Sequence, residues 1–222
     1  MNDKDYLKQQ AATAVLEIIG KNCTIGVGTG STVDFFIELL NKSGLEVSGV
    51  VPSSVRTRKN LEIANLPVTS PNSVSELDYY IDGADEVMEN GFMLKGGGGA
   101  LTGEKIVSQL ARTFICIADY SKKVSFLGRG QSPVTLEVIS IARSYVSREI
   151  VKMGGSPRWR ETEKTDYGND LIDVFDLPID SATEWESKLS QIMGVVCCGI
   201  FAKNRAHIVI LSYPDSVSII HT

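Results

Sequence analysis

The chain has 222 residues, of which 43% are hydrophobic and 22% are charged, and its formal net charge is −5. This composition is typical of a globular protein with one large core, or with a core and a smaller domain. The negative charge argues against a general affinity for nucleic acid or anionic membranes, and no apolar run approaches the roughly 20 residues that span a bilayer.

The N-terminal segment and the cysteines indicate a cytoplasmic protein. Residues 1–5 lack a basic stretch followed by an apolar one, so we expect no signal peptide. No two cysteines form a C-x-x-C pair, and we expect buried free thiols in a reducing compartment at Cys23, Cys116, Cys197 and Cys198. The two histidines, His207 and His221, both lie near the C-terminus. Acid–base chemistry is therefore expected from carboxylates and lysines, without a metal site.

Strands and helices alternate along the first half of the chain. Apolar spacing predicts a helix from Tyr6 to Ile19. Strands are predicted at residues 23–28, 47–51, 67–68, 79–81 and 113–118, and further helices at 33–40, 55–64 and 105–111. This alternation indicates an α/β fold, with a mainly parallel, Rossmann-like sheet covered by helices on both faces.

The pattern changes near residues 128–133. A strand at 134–139, a helix at 141–152, paired strands at 158–160 and 171–174, and a helix at 182–192 predict a smaller α+β unit of the ferredoxin-like kind. A last strand at 208–211 is expected to return to the first sheet. We therefore predict an α/β catalytic domain made of residues 1–130 and 207–222, and a small domain made of residues 131–206.

The first motif that can carry chemistry is Gly26-Val27-Gly28-Thr29-Gly30-Ser31-Thr32, between a strand and a helix. Its glycines allow the backbone to approach a ligand, and Ser31 and Thr32 add hydroxyl groups at a helix N-terminus. The spacing fits neither G-x-G-x-x-G nor G-x-x-x-x-G-K-[ST], so a phosphate monoester is the natural ligand. The same residues also fit a tight turn with Ser31 as the helix cap.

The second motif is acidic and directly follows the strand at 79–81. It reads Asp82-Gly83-Ala84-Asp85-Glu86. Carboxylates at the carboxyl end of a parallel strand face the ligand crevice, where they bind sugar hydroxyls or exchange protons. A solvated acidic turn is the alternative.

The third motif is a glycine run between Lys95 and Glu104, just before the helix predicted at 105–111. Four consecutive glycines, Gly96 to Gly99, cost conformational entropy and need a reason such as close approach to a ligand. Their N–H groups can hold an oxyanion, Lys95 can neutralise developing charge, and Glu104 can act as a general base. This set suits proton abstraction next to a carbonyl. A flexible linker is the alternative.

The fourth motif, Ala118 to Lys123, follows the next strand, and its Lys122 is positioned to reach a phosphate. Adjacent lysines also fit a solvated face, and the same choice holds for Lys8 in the first helix. The segments 154–160 and 165–170 are most simply loops of the small unit.

In chain order the four motifs read GVGTGST, YIDGADE, MLKGGGGALTGEKI and IADYSKKV. This combination resembles the ribose-5-phosphate isomerase A family, and the resemblance continues through PVTLEVI, GGSPRWR and TDYGND. It implies a cofactor-free aldose–ketose isomerase of the pentose phosphate pathway that interconverts ribose 5-phosphate and ribulose 5-phosphate. It also implies a homodimer or homotetramer.

The resemblance implies roles for individual residues. Glu104 matches the family's proton acceptor, which shuttles a proton between carbons 2 and 1 through an enediolate. Asp82 and Asp85 match sugar-contacting carboxylates, with Asp82 assisting ring opening, and Lys95 matches the group that stabilises the enediolate oxygen. The implied substrate-binding set is Lys8, Thr29, Gly30, Ser31, Thr32, Asp82, Gly83, Ala84, Asp85, Lys95, Gly96, Gly97, Gly98 and Lys122.

The chain departs from the family pattern at three places. Gly99 stands where many relatives have alanine, and Gly103 where arginine is common, so we expect a looser backbone just before Glu104. The segment 52–57 differs from the usual serine- and threonine-rich form. Two alternatives to the isomerase remain: a sugar-phosphate-sensing binding domain without catalysis, and a related enzyme such as an amino-sugar-phosphate isomerase, a deaminase or a CoA transferase.

Overall fold

A six-stranded sheet organises the larger part of the structure, a computed structural model that describes residues 3–128 and 132–222. In spatial order its strands are β13 (Ser216–His221), β12 (Ile208–Tyr213), β6 (Ala111–Asp119), β3 (Leu77–Asp82), β1 (Cys23–Val27) and β2 (Val47–Pro52). The run from β12 to β2 is parallel, and β13 pairs antiparallel with β12. The predicted domain boundary between residues 130 and 131 lies outside the described residues.

Helices cover both faces of this sheet because its strands are apolar on both sides. The helices are α1 (Asp3–Leu16), α2 (Ser31–Ser43), α3 (Val55–Ile63) and α4 (Leu101–Gln109). On one face, Val15 of α1 and Phe36 of α2 pack with Ile25 and Ile115. On the other face, Val107 of α4 packs in a separate cluster with Tyr80, Phe114 and Cys116. The α/β prediction is therefore confirmed.

The smaller unit is an antiparallel sheet with two helices. Its strands, in spatial order, are β10 (Val195–Cys198), β7 (Val134–Val138), β9 (Asp170–Phe175) and β8 (Ser156–Lys164). The helices α5 (Arg143–Lys152) and α6 (Ala182–Ser190) pack Val146, Ile150, Trp185 and Leu189 into a core of their own. This separate antiparallel sheet confirms the α+β unit.

A three-stranded sheet of very short strands lies between these two parts of the chain. It pairs β4 (Glu86–Val87), β5 (Met93–Leu94) and β11 (Ile200–Phe201), all antiparallel. The sequence did not predict it, because strands of two residues are too short to show a hydrophobic period. It matters for the site, since β5 directly precedes Lys95 and the glycine run.

Several element predictions differ from the structure in detail. Helix α1 ends at Leu16 rather than Ile19, and α4 begins at Leu101 rather than Lys105. Residues 67–68 form only a single bridge, between Val68 and Val50, instead of a strand. The edge strand β13 was not predicted, because it buries none of its side chains completely and its apolar signal is weak.

Two further properties follow from the described residues. The four cysteines are buried and unpaired, as expected. Within residues 3–128 and 132–222, none of the helices has the length and apolar character needed to cross a membrane.

Candidate active site

The loops that follow β1, β3 and β6 meet at one edge of the main sheet, because the carboxyl ends of parallel strands lie together. They enclose a cavity of about 260 Å³ with the glycine run as another wall. All the predicted site residues line this cavity except Asp82. Lys4, Asp119 and Ser121 also line it and were not predicted.

Asp82 lies at the end of β3, fully buried, just behind the cavity wall. One carboxylate oxygen accepts hydrogen bonds from the backbone N–H of Gly83 (2.7 Å) and of Thr29 (3.1 Å). The other accepts the Tyr80 hydroxyl at 2.6 Å and lies 2.7 Å from Lys95 Nζ. Both carboxylate oxygens are therefore occupied by protein groups, and Asp82, unlike the other predicted site residues, does not line the cavity.

Gly28 shows why the first two motifs occur together. A Cβ atom on Gly28 would lie 1.9 Å from Asp82 Cγ, inside the carboxyl group. The Gly28 N–H also donates to the carbonyl of Ile81 at 2.8 Å. The glycine is therefore required by the buried carboxylate on the neighbouring strand.

Lys95 is 97% buried and links the acidic loop to Glu104. Its ammonium donates to the Gly83 carbonyl at 2.7 Å, contacts Asp82 and lies 3.3 Å from Glu104 Oε2. Although burial alone lowers the pKa of a lysine, the three carboxylates around it raise this pKa above its ordinary value, Asp82 most strongly. Lys95 therefore stays positively charged at the cavity wall.

Glu104 lies in the first turn of α4 with its side chain almost fully buried. Its pKa is raised from 4.5 to about 8, mainly by burial and then by the nearby charge of Asp82, while Lys95 opposes both effects. A carboxyl group with a pKa near the working pH can both accept and return a proton. Glu104 therefore has the properties of a general base.

The glycine run is shaped by close contacts on both sides. Gly96 has φ +108°, and a Cβ there would lie 2.9 Å from Thr135 Cβ. The Gly97 N–H donates to Asp85 Oδ2 at 2.8 Å. Gly98 is exposed to the cavity, and its N–H makes no hydrogen bond with any part of the chain that the structure describes. The run therefore offers a free backbone donor in the cavity that Glu104 also lines.

The expected looseness at Gly99 and Gly103 is wrong. Gly99 has φ +72°, a conformation that other residues adopt only with strain. Gly103 is inside α4, where a Cβ would lie 2.0 Å from the Ser53 carbonyl oxygen. Tyr167 Oη would lie 3.0 Å from the same Cβ. Gly99 is therefore required by its backbone conformation, and Gly103 by the close approach of α4 to Ser53.

The N-terminus of α2 forms the other end of the cavity. Its N-cap residue is Gly30, with φ +141°, and no side chain caps the helix. The alternative reading of Ser31 as a capping residue is therefore wrong. The first backbone N–H groups of α2, with the Ser31 and Thr32 hydroxyls beside them, are available to an anion.

Lysines supply positive charge to the cavity. Lys8 projects from α1, and Lys122 from the short turn after β6. Lys4, one helical turn before Lys8, joins them. The i, i+4 spacing of the two α1 lysines was the available signal for Lys4.

No cluster of three or more metal-ligating side chains occurs among residues 3–128 and 132–222.

Thr29 lines the cavity, but its hydroxyl is hydrogen-bonded within the protein. Its hydroxyl lies within 2.8–3.1 Å of the hydroxyls of Ser53, Ser54 and Thr57. Thr57 in turn donates to the Gly28 carbonyl at 2.6 Å. This hydroxyl cluster joins the ends of β1 and β2 and holds the turn before α2 in place.

Contacts from the smaller unit hold α4 in position, and no local sequence pattern predicted them. The buried carboxylate of Glu137 on β7 accepts the Thr102 hydroxyl at 2.5 Å. On the next turn, Lys105 donates to Glu186 at 2.7 Å and to the Ile200 carbonyl at 2.6 Å. Glu104 is therefore flanked on its own helix by two residues that are tied to the smaller unit.

Comparison with known proteins identifies the family. The model of the family described as ribose 5-phosphate isomerase A (phosphoriboisomerase A) matches residues 49–216. The chain belongs to this family. The ribose-5-phosphate isomerase A of Dichelobacter nodosus is 47% identical over 213 residues, which cover 96% of this chain and 97% of that protein. The ribose-5-phosphate isomerase A of Blochmanniella pennsylvanica is 46% identical and covers 98% of this chain and 99% of its own length.

Solved structures of ribose-5-phosphate isomerase A share the fold over nearly the whole chain. The Neisseria gonorrhoeae protein superposes with a TM-score of 0.96 at 44% identity, covering 98% of this chain and 97% of its own. A D-ribose-5-phosphate isomerase in complex with phospho-erythronic acid superposes with a TM-score of 0.94 at 35% identity, over 100% of both chains. The resemblance noted from the four motifs is therefore confirmed.

Proposed function

We propose that this chain is an aldose–ketose isomerase that interconverts ribose 5-phosphate and ribulose 5-phosphate, with Glu104 as the general base. The observation that carries the proposal is the placement of Glu104. It is buried, has a pKa raised to about 8, and lies 3.3 Å from Lys95 in a cavity whose other end is a helix N-terminus. A phosphorylated polyol with a reactive carbonyl at the opposite end fits both halves of this cavity.

The phosphate group of the substrate binds at the N-terminus of α2. Backbone N–H groups and the positive end of the helix dipole favour an anion there, and Lys8 and Lys122 add charge. The sugar chain then extends towards Asp85, which is half-buried and lines the cavity. Binding at the phosphate end fixes the distance from the reacting carbons to Glu104.

The isomerisation moves one proton on carbon. In the open-chain aldose, the Glu104 carboxylate takes the proton from C2, the C1–C2 double bond forms, and the carbonyl oxygen O1 becomes negative. Lys95 and the Gly98 N–H stabilise this oxygen. The C2 hydroxyl proton then passes to O1, the C2 carbonyl forms, and Glu104 returns its proton to C1. Atoms and charge balance without an external oxidant or reductant.

Asp82 acts through its neighbours in this proposal. It holds Lys95 and the backbone N–H of Thr29 and Gly83, and its charge raises the pKa of Glu104. We assign it to positioning and to tuning the base. Ring opening then depends on groups that line the cavity. We assign it to Asp85, in place of Asp82.

The domain bounds and the assembly complete the proposal. We propose that residues 131–206 form the smaller domain and that residues 1–130 and 207–222 form the catalytic one. We also propose that the protein is cytoplasmic and, as the resemblance implied, a homodimer or homotetramer. Analytical ultracentrifugation of the purified chain tests the assembly, and a monomer at micromolar concentration would contradict it.

The decisive experiment compares Glu104→Gln with Glu62→Gln. Glu62 is an exposed glutamate on α3, outside the cavity. We expect the wild-type protein to convert ribose 5-phosphate to ribulose 5-phosphate in the presence of EDTA. Glu104→Gln should lower kcat by about 10²–10⁴-fold while inorganic phosphate still binds, and Glu62→Gln should be unchanged. Full activity of Glu104→Gln, or a requirement for metal, would contradict the mechanism.

A further inference from the structure

Arg160, on β8 of the smaller unit, contacts the glycine run and is not among the residues that line the cavity. Its Nη1 atom donates to the Gly97 carbonyl oxygen at 3.0 Å, and its Nη2 atom lies 3.4 Å from the Gly96 carbonyl oxygen. A side chain 63 residues further along the chain thus binds two successive peptide groups of the run. The proposed mechanism gives this arginine no role.

The guanidinium is itself held in a fixed orientation. Asp173 on β9 accepts from Nε and Nη2, each at 2.7 Å, which is the bidentate geometry that suits a planar guanidinium. Thr135 on β7 accepts from Nη2 at 3.2 Å and donates to Asp173 at 2.9 Å. The side chain is only 13% exposed. Arg160 is therefore a rigid donor rather than a mobile surface charge.

The geometry of the peptide group links this contact to the cavity. In a planar trans peptide, the C=O and N–H bonds point in opposite directions. The peptide whose oxygen is Gly97 O carries the N–H of Gly98, which is the free donor at the cavity wall. Anchoring Gly97 O to Arg160 therefore turns the Gly98 N–H away from the smaller unit.

The preceding peptide is held at both ends. Its oxygen, on Gly96, accepts from the Gly99 N–H at 3.0 Å and faces Arg160. Its N–H, on Gly97, donates to Asp85 at 2.8 Å. With one peptide immobilised in this way, the orientation of the next one depends on the Arg160 contact. The positive charge behind the carbonyls also polarises these peptides and strengthens their N–H groups as donors.

We propose that Arg160 is a positioning residue for the isomerase reaction: it holds the carbonyls of Gly96 and Gly97 so that the Gly98 N–H is presented to the enediolate oxygen. The inference rests on the proposed function. It predicts that Arg160 acts on the transition state more than on substrate binding, because the phosphate end of the cavity is not part of the contact.

The test uses Arg160→Gln and Arg160→Lys, with Arg158→Gln as the matched control. Arg158 lies on the same strand, but its guanidinium stacks on the Phe175 ring, 4.7 Å from the centroid, and not on the glycine run. We expect Arg160→Gln to lower kcat about 10–100-fold, less than the loss of a direct oxyanion donor, with KM changed less than about threefold. Arg160→Lys should recover little, because an ammonium cannot reproduce the planar, bidentate contact with Asp173 while it also reaches both carbonyls.

Binding of phospho-erythronic acid separates positioning from folding. Its carboxylate places negative charge where the enediolate has it, so its Kd should rise by the same factor as kcat/KM falls, while the Kd of inorganic phosphate stays unchanged. Because Arg160→Gln leaves Asp173 without its cationic partner, the double variant Arg160→Gln, Asp173→Asn repeats the measurement with a neutral pair. It should show the same kinetic loss with a recovered Tm.

The outcomes distinguish this inference from the proposed function. If the wild-type protein is inactive, or Glu104→Gln is active, the proposed function fails whatever Arg160 does. If the wild type is active but Arg160→Gln retains its kcat, raises KM alone, or matches Arg158→Gln, only the role of Arg160 is overturned. A loss of phosphate binding equal to the loss of kcat also overturns it, since that result indicates general disorder of the site.

Discussion

The raised pKa of Glu104 makes the rate of isomerisation depend on pH in a defined way. Since the base must be ionised, a pKa of about 8 leaves only about 9% of the free enzyme active at pH 7 and about 90% at pH 9. We therefore expect kcat/KM to rise about tenfold between pH 7 and pH 9. The substrate phosphate, whose second pKa is near 6, is already ionised over this interval and contributes little.

Two substitutions should move this acid limb in opposite directions. The charge of Asp82 raises the pKa of Glu104, so Asp82→Asn should shift the limb to lower pH. Lys95 lowers that pKa, so Lys95→Gln should shift the limb to higher pH. Both variants also lose kcat, but the midpoint of the limb can be read independently of its height. The assay is kcat/KM for ribose 5-phosphate at half-unit steps of pH, with formation of the ketose followed continuously.

Lys8→Ala provides the control, because Lys8 lines the cavity and we assign it to the binding of the phosphate. It should raise KM and leave the midpoint of the limb where it is. A kcat/KM that stays flat between pH 7 and pH 9, or shifts of the same sign in Asp82→Asn and Lys95→Gln, would refute the electrostatic account of the base.

Three further predictions concern packing, linkage and phosphate binding. Gly103→Ala should lower both Tm and kcat, because its Cβ would meet the Ser53 carbonyl at 2.0 Å, whereas Gly20→Ala, with open space around it, should change neither. The raised pKa of Glu104 favours the protonated form in the folded state, so its contribution to stability is complete below about pH 4.5 and is lost as pH rises through about 8. Denaturant unfolding should therefore show a wild-type decrease of roughly 3–5 kcal/mol across this interval that Glu104→Gln lacks. Lys122→Ala should raise KM and the Kd of inorganic phosphate several-fold with kcat unchanged, as kinetics and calorimetry will show.

Each of these predictions has an outcome that contradicts it. Equal melting temperatures for Gly103→Ala and the wild type would mean that α4 can shift away from Ser53. The same pH dependence of stability in Glu104→Gln and the wild type would place the titrating group elsewhere. A Lys122→Ala variant that loses kcat but keeps its phosphate affinity would remove Lys122 from the phosphate end.

The main sheet could be predicted well because the spacing of apolar residues differs clearly between its strands and its helices. Buried runs such as Thr113–Ala118 have no other stable placement than the middle of a covered sheet. The strand-end motifs then share an edge by topology alone, which is why Ser31, Lys95 and Glu104 could be expected around one cavity before the structure was known.

Properties that depend on pairs of distant residues were not predictable from one sequence. Gly103 was predicted to loosen the backbone, because the residues next to it in the sequence do not reveal that the Ser53 carbonyl packs against it. Asp82 was predicted to contact the sugar. Its four protein partners come from three different loops and strands, so no local sequence pattern shows that they surround it. The contact between Arg160 and Gly97 joins a strand of the smaller sheet to the loop after β5, and no local sequence pattern predicts it.

The return of the chain to its first sheet has a consequence for folding during synthesis. Strand β6 ends at Asp119, but β12, which covers its outer edge, begins only at Ile208. At about 5–20 residues per second, roughly 5–20 s pass on the ribosome with the apolar segment Phe114–Ala118 unpaired along one side. An uncovered edge of this kind is a site for pairing between nascent chains. Translation speed through residues 120–207 should therefore influence the yield of folded enzyme more than its final stability.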